Sequence, residues 1–170
     1  MIVMNTYERW MTMNTPLYTQ ADLANIKKQN NGRWLLLSIP GALLLAIMIY
    51  SLIIRVEWLT MASTVLLGAM LIAGYDFLIK PLSCYQLHLE NCLNGRTRTC
   101  ELPFVSLSET IDLVDGVRYR QLLCEDIDGK GRPYERLFYF DAEKTFPQVN
   151  KGDVLHIVHH DLAVADVQVA

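Results

Sequence analysis

The 170 residues are 52% hydrophobic and 19% charged, with a formal net charge of −3. The average hides a division: residues 1–81 hold six Lys/Arg against four Asp/Glu, whereas residues 82–170 hold nine against 14. An acidic second half is a poor partner for nucleic acid, whose affinity rests on Lys and Arg at phosphates, and it is long enough for one small domain but not for two.

Residues 1–33 are expected to form an N-terminal cytoplasmic segment. Residues 1–15 are polar, rich in Met and without clear periodicity, which suggests loose order. Thr19 and Asp22 have capping-box spacing, with Asp where Glu or Gln is usual. Leu23 and Ile26 then share a face, and Lys27-Lys28 suit the last turn of a helix, which Asn30-Asn31-Gly32 would end. This is a short amphipathic helix on the membrane surface, or else the first turns of a spanning helix extended into water.

Residues 34–80 dominate the chain. Trp34 to Ile54 runs 21 residues without a charge, and Trp58 opens a second uncharged run that reaches Tyr75. A bilayer core needs about 20 apolar residues per helix, so 34–54 and 58–79 read as a transmembrane hairpin. A cleaved signal peptide fits badly, because its apolar region is shorter and begins near the N-terminus. Lys27, Lys28 and Arg33 precede the first run and Lys80 follows the second, while the turn carries Arg55 offset by Glu57. Positive charge collects on the cytoplasmic side, so both termini are expected there, at the cell (inner or plasma) membrane. Trp34, Trp58 and Lys80 are the expected interfacial anchors.

Asp76 lies one turn before Lys80. An acid in a membrane can be a proton or ion site, but near the end of a span it reads better as a headgroup-level carboxylate paired with Lys80. Small residues, among them Gly41, Ala69, Ala73 and Gly74, allow close helix approach within the hairpin or in an oligomer. Pro40 is expected to bend the first span.

Residues 82–170 are expected to form a small all-β domain. Tyr85, Leu87 and Leu89 alternate with polar residues, the strand period, and Asn94-Gly95 is a hairpin signal that would pair Leu89 with Cys100 and Leu87 with Leu102. Pro103 suggests an edge or bend in the second strand. A two-residue loop at Asp115-Gly116 would mix faces, so a longer loop or bulge is expected there. Strands follow at Tyr119 to Asp126 and Tyr134 to Phe140, joined by a turn at residues 128–131. One helical turn is expected at 143–146, then a hairpin of 154–158 and 162–169. About six strands imply a small barrel, of OB or SH3-like kind, or a compact sandwich.

Candidate chemistry is sparse. The segment from Asp126 to Gly131 fails the calcium-loop pattern, since Lys130 stands at the fifth position and Leu137 at the twelfth, where ligands belong. His156, His159, His160 and Asp161 are the residue types of a transition-metal site, but on a strand His159 points away from the other two histidines. Cys84, Cys92, Cys100 and Cys124 lack zinc-ribbon spacing and read as small buried hydrophobes. No phosphate loop, nucleophile elbow or zinc-protease motif occurs. No catalytic residue, cofactor or metal is therefore assigned.

Lys151-Gly152-Asp153-Val154-Leu155-His156-Ile157-Val158-His159, a loop followed by an alternating apolar strand, resembles the closing segment of small β-barrel domains on two-span bacterial membrane proteins of unknown function. It is distantly similar to the OB-like tail of NfeD-type proteins, which follows transmembrane helices and is thought to mediate interactions in membrane protein quality control. The resemblance implies an anchored interaction module and transfers no functional residue. The expected partners are membrane lipid and another membrane or cytoplasmic protein. Self-association into a transport or channel component is the alternative, and a thiol- or metal-dependent enzyme the third reading.

Overall fold

A computed structural model describes residues 16–169; the expected loose order of residues 1–15 lies outside them. Helix α1 (Gln20–Ile53) opens on a reciprocal cap. The Thr19 amide donates to Asp22 Oδ2 at 3.0 Å and the Asp22 amide to Thr19 Oγ1 at 3.2 Å, so the short carboxylate closes the capping box. The helix does not stop at residues 30–32. A separate surface helix is thus replaced by one 34-residue helix that includes the first apolar run. Asn and Gly cost only about 0.5–1 kcal/mol each in a helix interior, and extending an existing helix needs no new nucleus.

After a tight turn with Arg55 at φ 56°, α2 (Glu57–Gly74) passes into a π-helical stretch (Tyr75–Ile79) and then α3 (Lys80–Asn94). The strand expected around Tyr85–Glu90, and its hairpin at Asn94-Gly95, are therefore incorrect. Leu82, Tyr85, Leu89 and Cys92 also recur at three- and four-residue spacing, and the helix arriving from the second apolar run lets that period win. Leu89 is buried while Leu87 stands exposed, as a helix face requires. Gly95 ends the helix: its amide bonds Asn91 O at 2.9 Å, and a Cβ there would lie 2.2 Å from that same oxygen.

The described residues fall into two compact units, Ala24–Gln86 and, in the other, those up to Leu23 with those from Leu87 onward. In the first, two helices are long and apolar enough to cross a membrane, and 11% of each apolar window is buried. A Cβ on Gly74 would fall 2.4 Å from Leu37 Cδ1, and one on Gly41 3.3 Å from Met70 Cε, so these glycines mark the helix–helix seam. Ala69 and Ala73 are exposed, away from it. Polar side chains bond across the seam: Ser51 with Thr60 at 2.8 Å, and Asn30 Nδ2 to Gln86 Oε1 at 3.0 Å.

The second unit holds a closed five-stranded barrel in the order β1-β2-β3-β5-β4. The strands are β1 (Arg98–Val114), β2 (Val117–Ile127), β3 (Pro133–Asp141), β4 (Val154–His160) and β5 (Ala163–Val169). Among the described residues there are five strands rather than about six, because the first expected strand is helix. Strand β1 serves two partners: Arg98–Pro103 pairs with β4, and Phe104 onward with β2. Pro103 sits at that hand-over, where a bulge bends the strand. The short parallel seam of β3 with β5, Tyr139 beside Ala163, closes the barrel.

The turn at Asp115-Gly116 is a two-residue loop, with Val114 opposite Val117 and both turn residues at positive φ, the primed geometry favoured in hairpins. Of the longer loop and the bulge expected there, the longer loop is absent and a bulge-like irregularity lies further along the pair. The conflict of faces is absorbed by a register shift between Leu107 and Ile111, and Ile111 and Leu113 remain exposed. Residues 143–146 form no helical turn; the Lys144 amide bonds Asp141 O at 3.2 Å in a simple turn. Inside the barrel, Leu122, Cys124, Phe138, Phe140, Leu155 and Ile157 are fully buried.

Candidate functional site

Two polar constellations belong to the barrel unit. One lies where Tyr119 (β2) and Asp141 (β3), opposite each other in the ladder, meet His88 of α3 and Tyr18, which precedes α1. The Tyr119 hydroxyl is 2.9 Å from His88 Nδ1, the Tyr18 hydroxyl 2.9 Å from His88 Nε2, and Tyr18 also donates to Asp141 Oδ2 at 3.2 Å. One proton arrangement satisfies all three contacts. Tyr119 donates to Nδ1, Nε2–H donates to Tyr18, and Tyr18 donates to Asp141, with a neutral imidazole at the centre. A protonated ring would strand the Tyr119 hydroxyl proton. Residues 80–94 lie beyond the apolar stretch, and there burial holds the His88 pKa below its ordinary value, against the pull of Asp141. Burial also pushes Tyr119 up.

Cys92, one turn after His88, packs 3.7 Å from its ring, and burial pushes the thiol up to about 12. Lys144 closes the outside of the cluster, 5.3 Å over the Tyr18 ring and 3.6 Å from Asp22. The arrangement latches residues 18–22 and the end of α3 to the sheet. It holds no activated nucleophile, since a reactive thiol needs a lowered pKa. Burial likewise raises Cys124 to about 11, and Cys100 is shifted upward for the same leading reason.

The other constellation is one mouth of the barrel. Arg98, Cys100 and Leu102 alternate inward on β1, as do Leu155, Ile157 and His159 on β4 and Arg136 and Phe138 on β3. The inward rows thus end in Arg98, Arg136 and His159 around a depression of about 400 Å³, with Arg96, His160, Asp161 and Leu162 at the rim. Asp126 Oδ2 accepts from Arg136 at 3.0 Å, and the guanidinium lies 5.0 Å over the Phe138 ring. His159, only 3% exposed, donates Nδ1–H to the Asp161 carbonyl at 2.6 Å. Burial lowers its pKa, that hydrogen bond opposes the shift, and the charges of Arg136 and Arg98 lower it further.

The four residues singled out for metal binding do not converge. His159 points inward and His156 and His160 outward; that His159 faces away from the other two is what the alternation predicted. His160 Nδ1 turns to the Arg96 carbonyl at 3.1 Å, and Asp161 is largely solvated. The hairpin tip is Asp161-Leu162, so both histidines belong to β4. Among the described residues, no group of three or more His, Cys, Asp or Glu gathers as a metal site would require. The cysteines are free. Trp34 and Trp58 are exposed on their helices, Trp34 lying 6.5 Å from Tyr75, and Lys80 pairs with Asp76 at 3.6 Å.

Sequence reasoning missed both constellations. Tyr18 and His88 are remote in sequence from the strands they bond, and no local pattern joins them. Arg98 and Arg136 did carry a signal, since each continues an inward apolar row at period two. No protein-family model matches the chain, and no curated protein or solved structure is similar enough to count as a match.

Proposed function

We propose that residues 34–54 and 58–79 cross a membrane as a hairpin and hold the barrel on the cytoplasmic side, where it binds another protein or helps assemble a membrane complex. The observation that carries this reading is the outward display of apolar side chains on both helices. Leu35, Leu36, Ile39, Leu43, Trp58 and Val65 are among those exposed. Each would forfeit roughly 1.5–3 kcal/mol if left in water, and lipid removes that cost. Lys27, Lys28, Arg33 and Lys80 at one end, against Arg55 with Glu57 at the other, support the orientation.

Strand order and the parallel β3–β5 seam support an OB-type barrel, in keeping with the resemblance to NfeD-type tails. Exposed Ile111 and Leu113 beside the hairpin turn offer apolar contact to a protein partner. Phase partition in a cloud-point detergent tests the anchor: the intact chain should enter the detergent phase, and recovery in the aqueous phase rejects the reading. A C-terminal reporter should be active only in the cytoplasm. A photo-crosslinking residue at Leu113, but not one at Lys130, should capture the partner.

A second reading, self-assembly into a transport or channel component, is favoured by the exposure of Ala69 and Ala73 outside the seam. Detergent-corrected light scattering separates the two, because two spans in a strict monomer cannot enclose a pathway.

A further inference from the structure

We propose that the barrel mouth at Arg98, Arg136 and His159 is a binding site for a phosphate-class oxyanion, carried by a small soluble phosphate ester or by a lipid headgroup. The proposal does not depend on membrane insertion.

Three observations meet there. First, in a half of the chain where Asp and Glu outnumber Lys and Arg 14 to nine, three guanidiniums line one depression against two carboxylates, Asp161 at its rim and Asp126 on Arg136. Asp126 neutralises Arg136 at 3.0 Å, whereas Arg96 and Arg98 make no ion pair among the described residues. Positive charge is therefore left over.

Second, His159 is almost wholly buried, and its Nδ1 is committed to the Asp161 carbonyl. Among the described residues its Nε2 has no hydrogen-bond partner, and the ring lines the depression. Nε2 can accept from a phosphate hydroxyl, or donate to a phosphate oxygen when protonated. That nitrogen is not one of the sealed, unpartnered polar atoms, so it opens onto the depression within reach of a ligand.

Third, the shape is specific. Arg136 is fixed on one side by Asp126 and beneath by the Phe138 ring, so its planar fork is held in place. Planar forks match phosphate oxygens in pairs, which a point charge does not. Some 400 Å³ exceeds what a bare phosphate fills, and exposed Leu162 at the rim gives an organic substituent an apolar contact.

The test uses the full chain in a neutral maltoside micelle at low salt, titrated calorimetrically with inorganic phosphate. Saturable binding is expected. Arg98→Ala should weaken it at least about tenfold, the equivalent of about 1.4 kcal/mol. Arg136→Lys, which keeps the charge and loses the fork, should weaken it as well. Arg118→Ala, which removes an exposed arginine paired with Glu143, should leave it unchanged. Arg98 is exposed and makes no ion pair among the described residues, so its variant should fold even if Arg136→Lys does not.

The same titration in nanodiscs identifies the source. Loss of phosphate binding when phosphatidic acid is mixed into phosphatidylcholine assigns the site to a headgroup, and unchanged binding assigns it to a soluble ester. The proposal is overturned if no saturable binding occurs below about 10 mM, or if Arg98→Ala binds as the parent does.

Discussion

The helical unit and the barrel unit are built inside out relative to each other. In Ala24–Gln86 most of the large apolar side chains stand outside, Leu37 and Ile79 excepted, and the buried residues include Ser51, Ser63 and Asn30. In the barrel, Phe138, Phe140, Leu155 and Ile157 are sealed within, and the outer surface is mostly polar. Burial of apolar area drives folding only where the alternative is water. The helices use small residues and hydroxyl pairs at their seam, the packing expected under the proposed insertion in lipid, where the solvent is as apolar as they are. The barrel needs water on its outside.

The largest effect should therefore separate the two units at equal chemistry. Phe138→Ala empties a closed core and should cost about 3–5 kcal/mol, seen as loss of the cooperative barrel transition in thermal or urea unfolding. Ile39→Ala, on the exposed face of α1, should change stability by less than about 0.5 kcal/mol. Comparable losses would end the contrast.

A smaller effect tests the seam. Gly74→Leu must displace Leu37, and overpacking of this kind costs about 1–3 kcal/mol. The unfolding midpoint in detergent should fall, whereas Gly68→Leu, with open space at its Cβ position, should leave it in place.

The latch supplies a third test, in protons. His88 and His159 are both held below the ordinary value of 6.5, chiefly by burial. The unfolded chain takes up those protons near 6.5 and the folded chain only at lower pH. Stability is thus complete above 6.5 and declines as pH falls toward the lowered folded values. The barrel's thermal midpoint should drop between about pH 7.5 and about pH 5, and His88→Gln should flatten part of that slope. A midpoint that rises over this range would contradict the neutral-imidazole arrangement. Tyr119→Phe leaves His88 Nδ1 without its donor and should cost about 1–3 kcal/mol.

The smallest effect lies at the start of α1. Thr19→Ala removes one half of the cap and should cost about 0.5–2 kcal/mol, read as fraying of the first turn by amide hydrogen exchange with no change in the barrel core.

Several features were legible from residues alone. The paired apolar runs, the Thr19–Asp22 cap, the Asp76–Lys80 pair and the facing of His159 away from His156 and His160 all follow from local spacing, and each appears in the structure. The error at Tyr85–Glu90 is equally physical. Those residues satisfy both periods, and the choice was made by the helix entering from residues 57–79. Likewise Arg98–Pro103 finds its partner in β4, some 57 residues away at Cys100 and Ile157, not in the segment just before it. Local chemistry determined where chain segments are apolar, where helices begin and which strand face turns inward, because those depend on neighbours within a turn or two. Only the tertiary structure decided the barrel closure, the joining of Tyr18, His88, Tyr119 and Asp141, and the gathering of Arg98, Arg136 and His159. Such meetings depend on which distant surfaces bury each other, and no spacing along the chain encodes that.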